Sequence, residues 1–430
     1  MTERINQYIE ISKIHGNKKI NSIVLILYKN MMKVGIIGGG ASGMMSAILL
    51  SREGIDVTII EKNSTLGKKI LMTGNGRCNY FNQDIDIDKY YTSDYEFLKT
   101  IVNEDNVFKV KEFLNSIGLV PRIKNGYYYP SSNTATSVLN AFLTEIEKRR
   151  IKVILDSEVN SIKKVDNKYQ VTIDTKKMTF DKIIIAIGSK AGLKENNNYQ
   201  LFTSLGIKLN PVLPALCPLI LNGDFFNKWS GIRVEARVSI YEDDKFLKSD
   251  LGEVQLTDYG ISGICVMNLS SLVSKALYQK KKVKVHLNFL PNIEKENIDK
   301  WLTLRDNTLY QRTVIELLES IIPYKLLYIL VSKAGIKSNC HYKSLTWKEK
   351  NDLINNLSDL TLEVRDTEEI FKSQVVTGGI PISRVKDTLE DKEYKGLYYT
   401  GEILDVDGIC GGFNLGFAWL SSIVVSEDIC

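Results

Sequence analysis

The chain has 430 residues, 44% hydrophobic and 25% charged, with a formal net charge of +5. That length allows two or three domains, and that balance is ordinary for a globular protein with a sizeable core. Much of the positive charge sits in residues 1–30, where Arg4, Lys13, Lys18, Lys19 and Lys29 face only Glu3 and Glu10, so bulk charge makes no case for nucleic-acid binding.

Residues 1–30 read as an N-terminal extension whose charges lack the order of a signal peptide, with Met31 or Met32 as the natural start. From Lys33 the pattern is strand (Val34 to Ile37), glycine turn, helix (Ala41 to Glu53) and strand (Val57 to Ile60), which makes a βαβ unit. Helices are expected over Glu104 to Ser116 and Ala135 to Arg150. Short strands are expected at Lys152 to Leu155, Val159 to Lys164 and Tyr169 to Ile173, and a fully buried one at Lys182 to Ile187. From about Ile207 to Leu290 alternation takes over, as in Val234 to Tyr241 and Val283 to Phe289, with a turn at Asp243-Asp244. Residues from Ile293 to Leu357 read as helical, Thr361 to Val364 as a returning strand, and the end of the chain as strand, glycine turn and helix (Phe413 to Val425).

No uncharged apolar run approaches the roughly 18 residues of a membrane span, so no membrane partner is expected. Cys78, Cys217, Cys265, Cys340, Cys410 and Cys430 form no C-x-x-C pair, and three histidines are too few for a His-rich centre. No metal is expected, and reduced thiols point to the cytoplasm.

The strongest motif is Gly38-Gly39-Gly40-Ala41-Ser42-Gly43, a G-x-G-x-x-G between a strand and a helix. Gly38 suits the tight turn, Gly40 lets backbone approach a pyrophosphate, and Gly43 lets the helix pack on the sheet. The helix start at Ala41 and Ser42 offers N–H groups to the phosphates. The second strand ends in Glu61-Lys62, and Glu61 stands where a ribose diol would be held. A 2′-phosphate is disfavoured there by like charge.

FAD rather than NAD is indicated by the stretch Gly67 to Asn79, which carries Lys69, Thr73, Gly74, Gly76, Arg77, Cys78 and Asn79 and reads as a loop. Flavoproteins of the glutathione reductase type place a loop there over the pyrophosphate. The third element is an apolar strand ending at Gly401-Glu402, then Gly411 and Gly412 opening a helix that contains Asn414. In such flavoproteins the acid holds the ribityl chain, and the helix N-terminus stabilises negative charge on the reduced ring.

The sequence resembles the BaiN/RdsA-like family of NAD(P)/FAD-dependent oxidoreductases, also called the aminoacetone oxidase family of FAD-binding enzymes. The matching pieces are residues 37–43, 73–79, 214–219, 257–263, 376–380 and 401–408, in order along nearly everything after Met31. The resemblance implies an α/β fold: a glutathione-reductase-like Rossmann FAD-binding domain (31–206 and 370–430) with an inserted β-barrel domain (207–292 and 358–369) and a small helical domain (293–357). It departs from the family at Gly188-Ser189, at Lys194 to Asn198, and at Ile264 where proline is usual.

The resemblance implies reduction of a C=C bond through FAD, on a small molecule or on ribosomal RNA, where a 23S uridine would become dihydrouridine. A non-catalytic flavin-binding protein is the third reading. No second G-x-G-x-x-G is present, so NAD(P)H would be a transient donor. The proton donor is sought among Cys78, Cys410, Tyr399 and Glu402. Cys78 is read either as a thiol perturbed by Arg77 or as a small packing residue beneath the flavin loop. The best support for RNA is Lys280 to Lys284 with Lys148 to Arg150, although such runs are more often solvated faces.

Overall fold

The computed structural model describes residues 32–192 and 199–430. The extension 1–30 and the stretch Lys194 to Asn198 lie outside the described residues. The chain divides into two compact units, one holding residues 32–190, 199–212 and 378–430, the other 191–192 and 213–377.

The first unit is built on a five-stranded parallel sheet in the order Leu397–Tyr399, Lys182–Ile185, Lys33–Ile37, Asp56–Ile60, Lys152–Ile154. Its strands read as Val/Ile runs because both faces are covered; Ile36, Ile59 and Ile184 are in register and fully buried. The helix Ala41–Arg52 follows the first strand, and the helix Phe413–Ile429 ends the chain. They touch directly, because the Ser422 hydroxyl donates to the Ser42 carbonyl at 3.0 Å. An antiparallel meander (Val159–Val165, Lys168–Ile173, Lys176–Phe180) branches from the sheet. A second small sheet, not expected from the sequence pattern, pairs Phe81–Asn82, Tyr127–Pro130 and Pro121–Lys124.

The second unit holds a closed six-stranded barrel: Leu219–Leu221, Gly260–Ser262, Lys245–Leu256, Arg233–Glu242, Val283–Asn288 and Leu360–Thr367, the last pairing back with the first. Alternation decides which face is inside: Val234, Ala236, Val238 and Ile240 are buried, while Arg233, Glu235 and Arg237 are exposed. The helices Ile298–Thr308, Val314–Leu318, Tyr324–Lys333 and Trp347–Ser358 share the barrel's apolar core. Two of them start in capping boxes, Thr313 with Glu316 and Thr346 with Glu349.

Candidate functional site

The glycine turn is shaped by contact. A Cβ at Gly38 would lie 2.4 Å from the Ala186 carbonyl oxygen, and one at Gly43 would lie 2.0 Å from that of Gly38. A Cβ at Gly40 would meet nothing within 4 Å. The turn is therefore packed tight on the sheet side and open on the other. The helix Ala41–Arg52 begins at that opening with no side-chain cap and no acid in its first turn. Its first N–H groups and its positive dipole end are offered to an anion.

Glu61 is buried under this turn. Its Oε2 accepts the Gly39 N–H at 2.7 Å, and its Oε1 accepts the Asn63 N–H at 2.8 Å and the Asn63 side-chain amide at 2.6 Å. The acid thus braces the glycine turn. Asn63, which no sequence motif singles out, orients it. Lys62 is half-buried beside it.

The stretch after Gly67 differs from the loop expected. Lys68–Met72 forms a short helix because Leu66 and Ile70 bury against the core beneath it. Thr73–Gly76 then makes a tight turn in which Gly74, Asn75 and Gly76 adopt left-handed backbone, as does Cys78 two residues on. Thr73 ties the turn down by donating to the Ile70 carbonyl at 2.6 Å. Gly74, Gly76 and Arg77 are exposed. The Asn79 Oδ1 atom is buried without a hydrogen-bond partner among the described residues.

The C-terminal pieces meet these residues. Gly401 has φ +73, its N–H donates to Ser421 Oγ at 2.9 Å, and a Cβ there would press on Ser42 Oγ. Glu402 Oε2 lies 2.6 Å from Lys69 Nζ, which donates to Ser189 Oγ at 3.3 Å beside Gly188. Gly412, at φ +89, caps the last helix without a side-chain bond, and the first turn there has no acid. A Cβ on Gly412 would strike the Phe81 carbonyl and Asn79 Oδ1. The side chain of Asn82 holds the Gly411 carbonyl at 2.7 Å. Asn414 both donates to and accepts from Gly408 backbone at 2.8 Å, so its amide fastens the strand Val406–Gly408 to the helix.

Two proton-donor candidates are otherwise engaged. Cys78 is fully buried, and burial pushes its thiol up to about 11, against a smaller lowering by the Thr73 hydroxyl. Arg77 is exposed and is not among the causes of this shift, so the perturbation expected from it is not found. The Tyr399 hydroxyl donates to the buried Asp391 at 2.6 Å, which Arg384 also binds, and burial raises that phenol well above its ordinary range. Cys410 is half-buried just before Gly411.

The family-model comparison matches residues 32–428 to the HI0933-like protein Rossmann domain. The chain belongs to that family. A 3-dehydro-bile acid Δ(4,6)-reductase of Clostridium scindens is 37% identical over 92% of this chain and 98% of its own. A ribosomal RNA dihydrouridine synthase of Escherichia coli is 26% identical over 92% of this chain and 97% of its own. Among solved structures, the open form of a flavocytochrome c3 fumarate reductase covers 95% of this chain and 80% of its own, with 12% identity and a TM-score of 0.46.

Two uncapped helix N-termini, an open glycine turn, an orphaned Asn79 amide oxygen and a carboxylate next to a lysine suit a long, polar, anionic dinucleotide. They are also the donor types a flavin pyrophosphate, ribityl chain and pyrimidine edge require. Among the described residues no group of three or more His, Cys, Asp or Glu could hold a metal ion, and no helix is long and apolar enough to cross a membrane. Two of the four lysines of the basic run are ion-paired within their own unit, Lys281 to Asp243 at 2.8 Å and Lys284 to Asp244 at 2.7 Å. The other, Lys148-Arg149, is paired to Glu145.

Proposed function

We propose that this chain is an FAD-dependent reductase of a C=C bond conjugated to a carbonyl on a small molecule, with NAD(P)H as a transient donor. The observation that carries the reading is that Gly401 and the middle of the last helix pack on Ser42, which sets two uncapped helix N-termini, at Ala41 and Phe413, into one unit. The reductase relative, at 37% identity along nearly both whole chains, supports it. FAD, when bound, supplies the hydride. Ala41, Ser42 and Gly43 would hold its pyrophosphate, Glu61 its adenosine ribose and Glu402 its ribityl hydroxyls. Asn79 and the N–H groups after Gly412 would take the pyrimidine edge. Cys78 serves as packing beneath the turn, not as the acid.

Ribosomal RNA as substrate is supported by the dihydrouridine synthase relatives and disfavoured by the pairing of Lys281 and Lys284, half of the lysine run, with Asp243 and Asp244. The test is anaerobic reduction of the purified yellow protein with NADH or NADPH, then mixing with a 3-oxo-Δ4 steroid acid or with an rRNA fragment. Reoxidation by the steroid acid alone supports the reading. Reoxidation by RNA alone, or no bleaching by any donor, defeats it.

A further inference from the structure

The small sheet near Gly411 separates its side chains into two faces. Tyr127 stands opposite both Asn82 and Lys124, and Tyr129 opposite Arg122. Residues directly opposed across antiparallel strands share a face, and neighbours along a strand alternate. Phe81, Ile123 and Tyr128 therefore share one face, where the Tyr128 ring packs edge-on against Phe81 at 5.9 Å and Tyr80 at 6.2 Å. Asn82, Tyr127, Lys124, Tyr129 and Arg122 share the other.

That second face ends at the site. Asn82 donates to the Gly411 carbonyl, and the Tyr127 ring lies 3.1 Å from where a Gly411 Cβ would be. The row Asn82, Tyr127, Lys124 thus leads outward from the N-terminus of the last helix. Two strand spacings set its length, so the Lys124 backbone lies about 10 Å from that of Asn82. Arg122 and Lys124 are exposed, and neither is in an ion pair among the described residues. The turn between the strands, Asn125-Gly126, has left-handed backbone at both positions (φ 52 and 80), the tight form that matches strand twist and fixes the hairpin.

We infer that this face recognises the substrate: Tyr127 and Tyr129 supply flat contact for a ring system, and Arg122 and Lys124 bind a carboxylate carried at the end of the substrate far from Gly411. The inference rests on the small-molecule reductase reading. Two cations on two neighbouring residues of one face suit one anionic group. A nucleic acid would need a wider field that neutralises several phosphates.

The test uses the flavin-loaded protein and the double variant Arg122→Ala/Lys124→Ala. Both side chains are exposed, so flavin content and Tm should match the parent. The probes are a 3-oxo-Δ4 bile acid and its methyl ester. Binding is read from perturbation of the bound flavin's absorbance, and turnover from reoxidation of the reduced protein. The variant should bind the free acid about tenfold or more weakly, with the loss in KM and not in kcat, and bind the ester as the parent does. Equal effects on acid and ester, no effect on either, or no binding of the acid by the parent would overturn the inference. Charge-dependent binding of the acid without its reduction would uphold this face and defeat the reductase reading. A ribosomal RNA fragment that binds in a salt-dependent way and loses more than the acid in the variant would overturn the commitment to a small molecule.

Discussion

The pair Lys69 and Glu402 offers a quantitative test of how the site holds an anionic cofactor. Their charged atoms are 2.6 Å apart, with side chains 30% and 17% exposed. A fully exposed pair contributes about 0.2–1 kcal/mol, and removing one partner of a buried pair costs about 3–5 kcal/mol. Between those limits a coupling of about 1–2 kcal/mol is expected, which is about 5- to 30-fold in a dissociation constant. Lys69→Met keeps the apolar stem and Glu402→Gln keeps the shape, so each removes little but charge. Lys69→Met should weaken FAD binding more, because it leaves a carboxylate uncompensated in a site for an anionic cofactor. Adding Glu402→Gln to it should then restore part of the loss. The assay is titration of apoprotein with FAD, monitored by quenching of flavin fluorescence, for parent, singles and double. Single effects that sum to the double within about 0.5 kcal/mol would refute the coupling.

Gly412→Ala would place a Cβ 2.6 Å from the Phe81 carbonyl oxygen at φ +89. The backbone strain of about 1–2 kcal/mol lowers stability with or without cofactor, and relief of the clash displaces the helix N-terminus, so FAD should also bind more weakly; an unchanged dissociation constant would count against that N-terminus as a contact. Cys78 should resist iodoacetamide at pH 8 while exposed Cys430 reacts. The Cys78 thiol is raised from 9.0 to about 11 in the fold, so its contribution to stability is intact below pH 9.0 and is lost as pH climbs toward about 11. Denaturant midpoints at pH 8 and 10.5, compared with those of Cys78→Ala, check this. Asp391→Ala strips a fully buried carboxylate from Arg384 Nε at 2.7 Å and the Tyr399 hydroxyl at 2.6 Å. Unfolding by urea should show a loss of about 3–5 kcal/mol, and a loss under about 1 kcal/mol would mean the network relaxes around the gap.

The βαβ unit is legible in the sequence because local rules agree there: Val/Ile strands, glycine spacing and a terminal acid all concern neighbours in sequence. The barrel is legible for the same reason, since Val234, Ala236, Val238 and Ile240 alternate cleanly with exposed residues. Residues 67–79 mislead because three glycines and two lysines catch the eye, whereas burial of Leu66 and Ile70 decides that their first half is helical. The hairpin at 121–130 does carry a local signal, Asn125-Gly126 before three tyrosines, but its strands lack clean apolar alternation. Cys78 cannot be judged from Arg77 alone, because what sets its thiol is packing by distant residues. The Lys69–Glu402 pair spans 333 positions and leaves no local pattern to read.

The pairing of the first helix with the last also fixes when the site can exist during synthesis. Gly38 to Asn79 emerge from the ribosome long before Gly401 to Asn414, with the whole barrel unit made in between. At about 5–20 residues per second that gap is roughly 15–65 s. Until it closes, the strand Lys182–Ile185 lacks its neighbour Leu397–Tyr399, and Ser42 lacks Ser422. The nascent chain therefore presents an apolar edge to chaperones and has only half a cofactor cradle. A message cut anywhere between Asn79 and Gly412 yields a product that has the nucleotide fingerprint and none of the helix Phe413–Ile429 that completes the cradle.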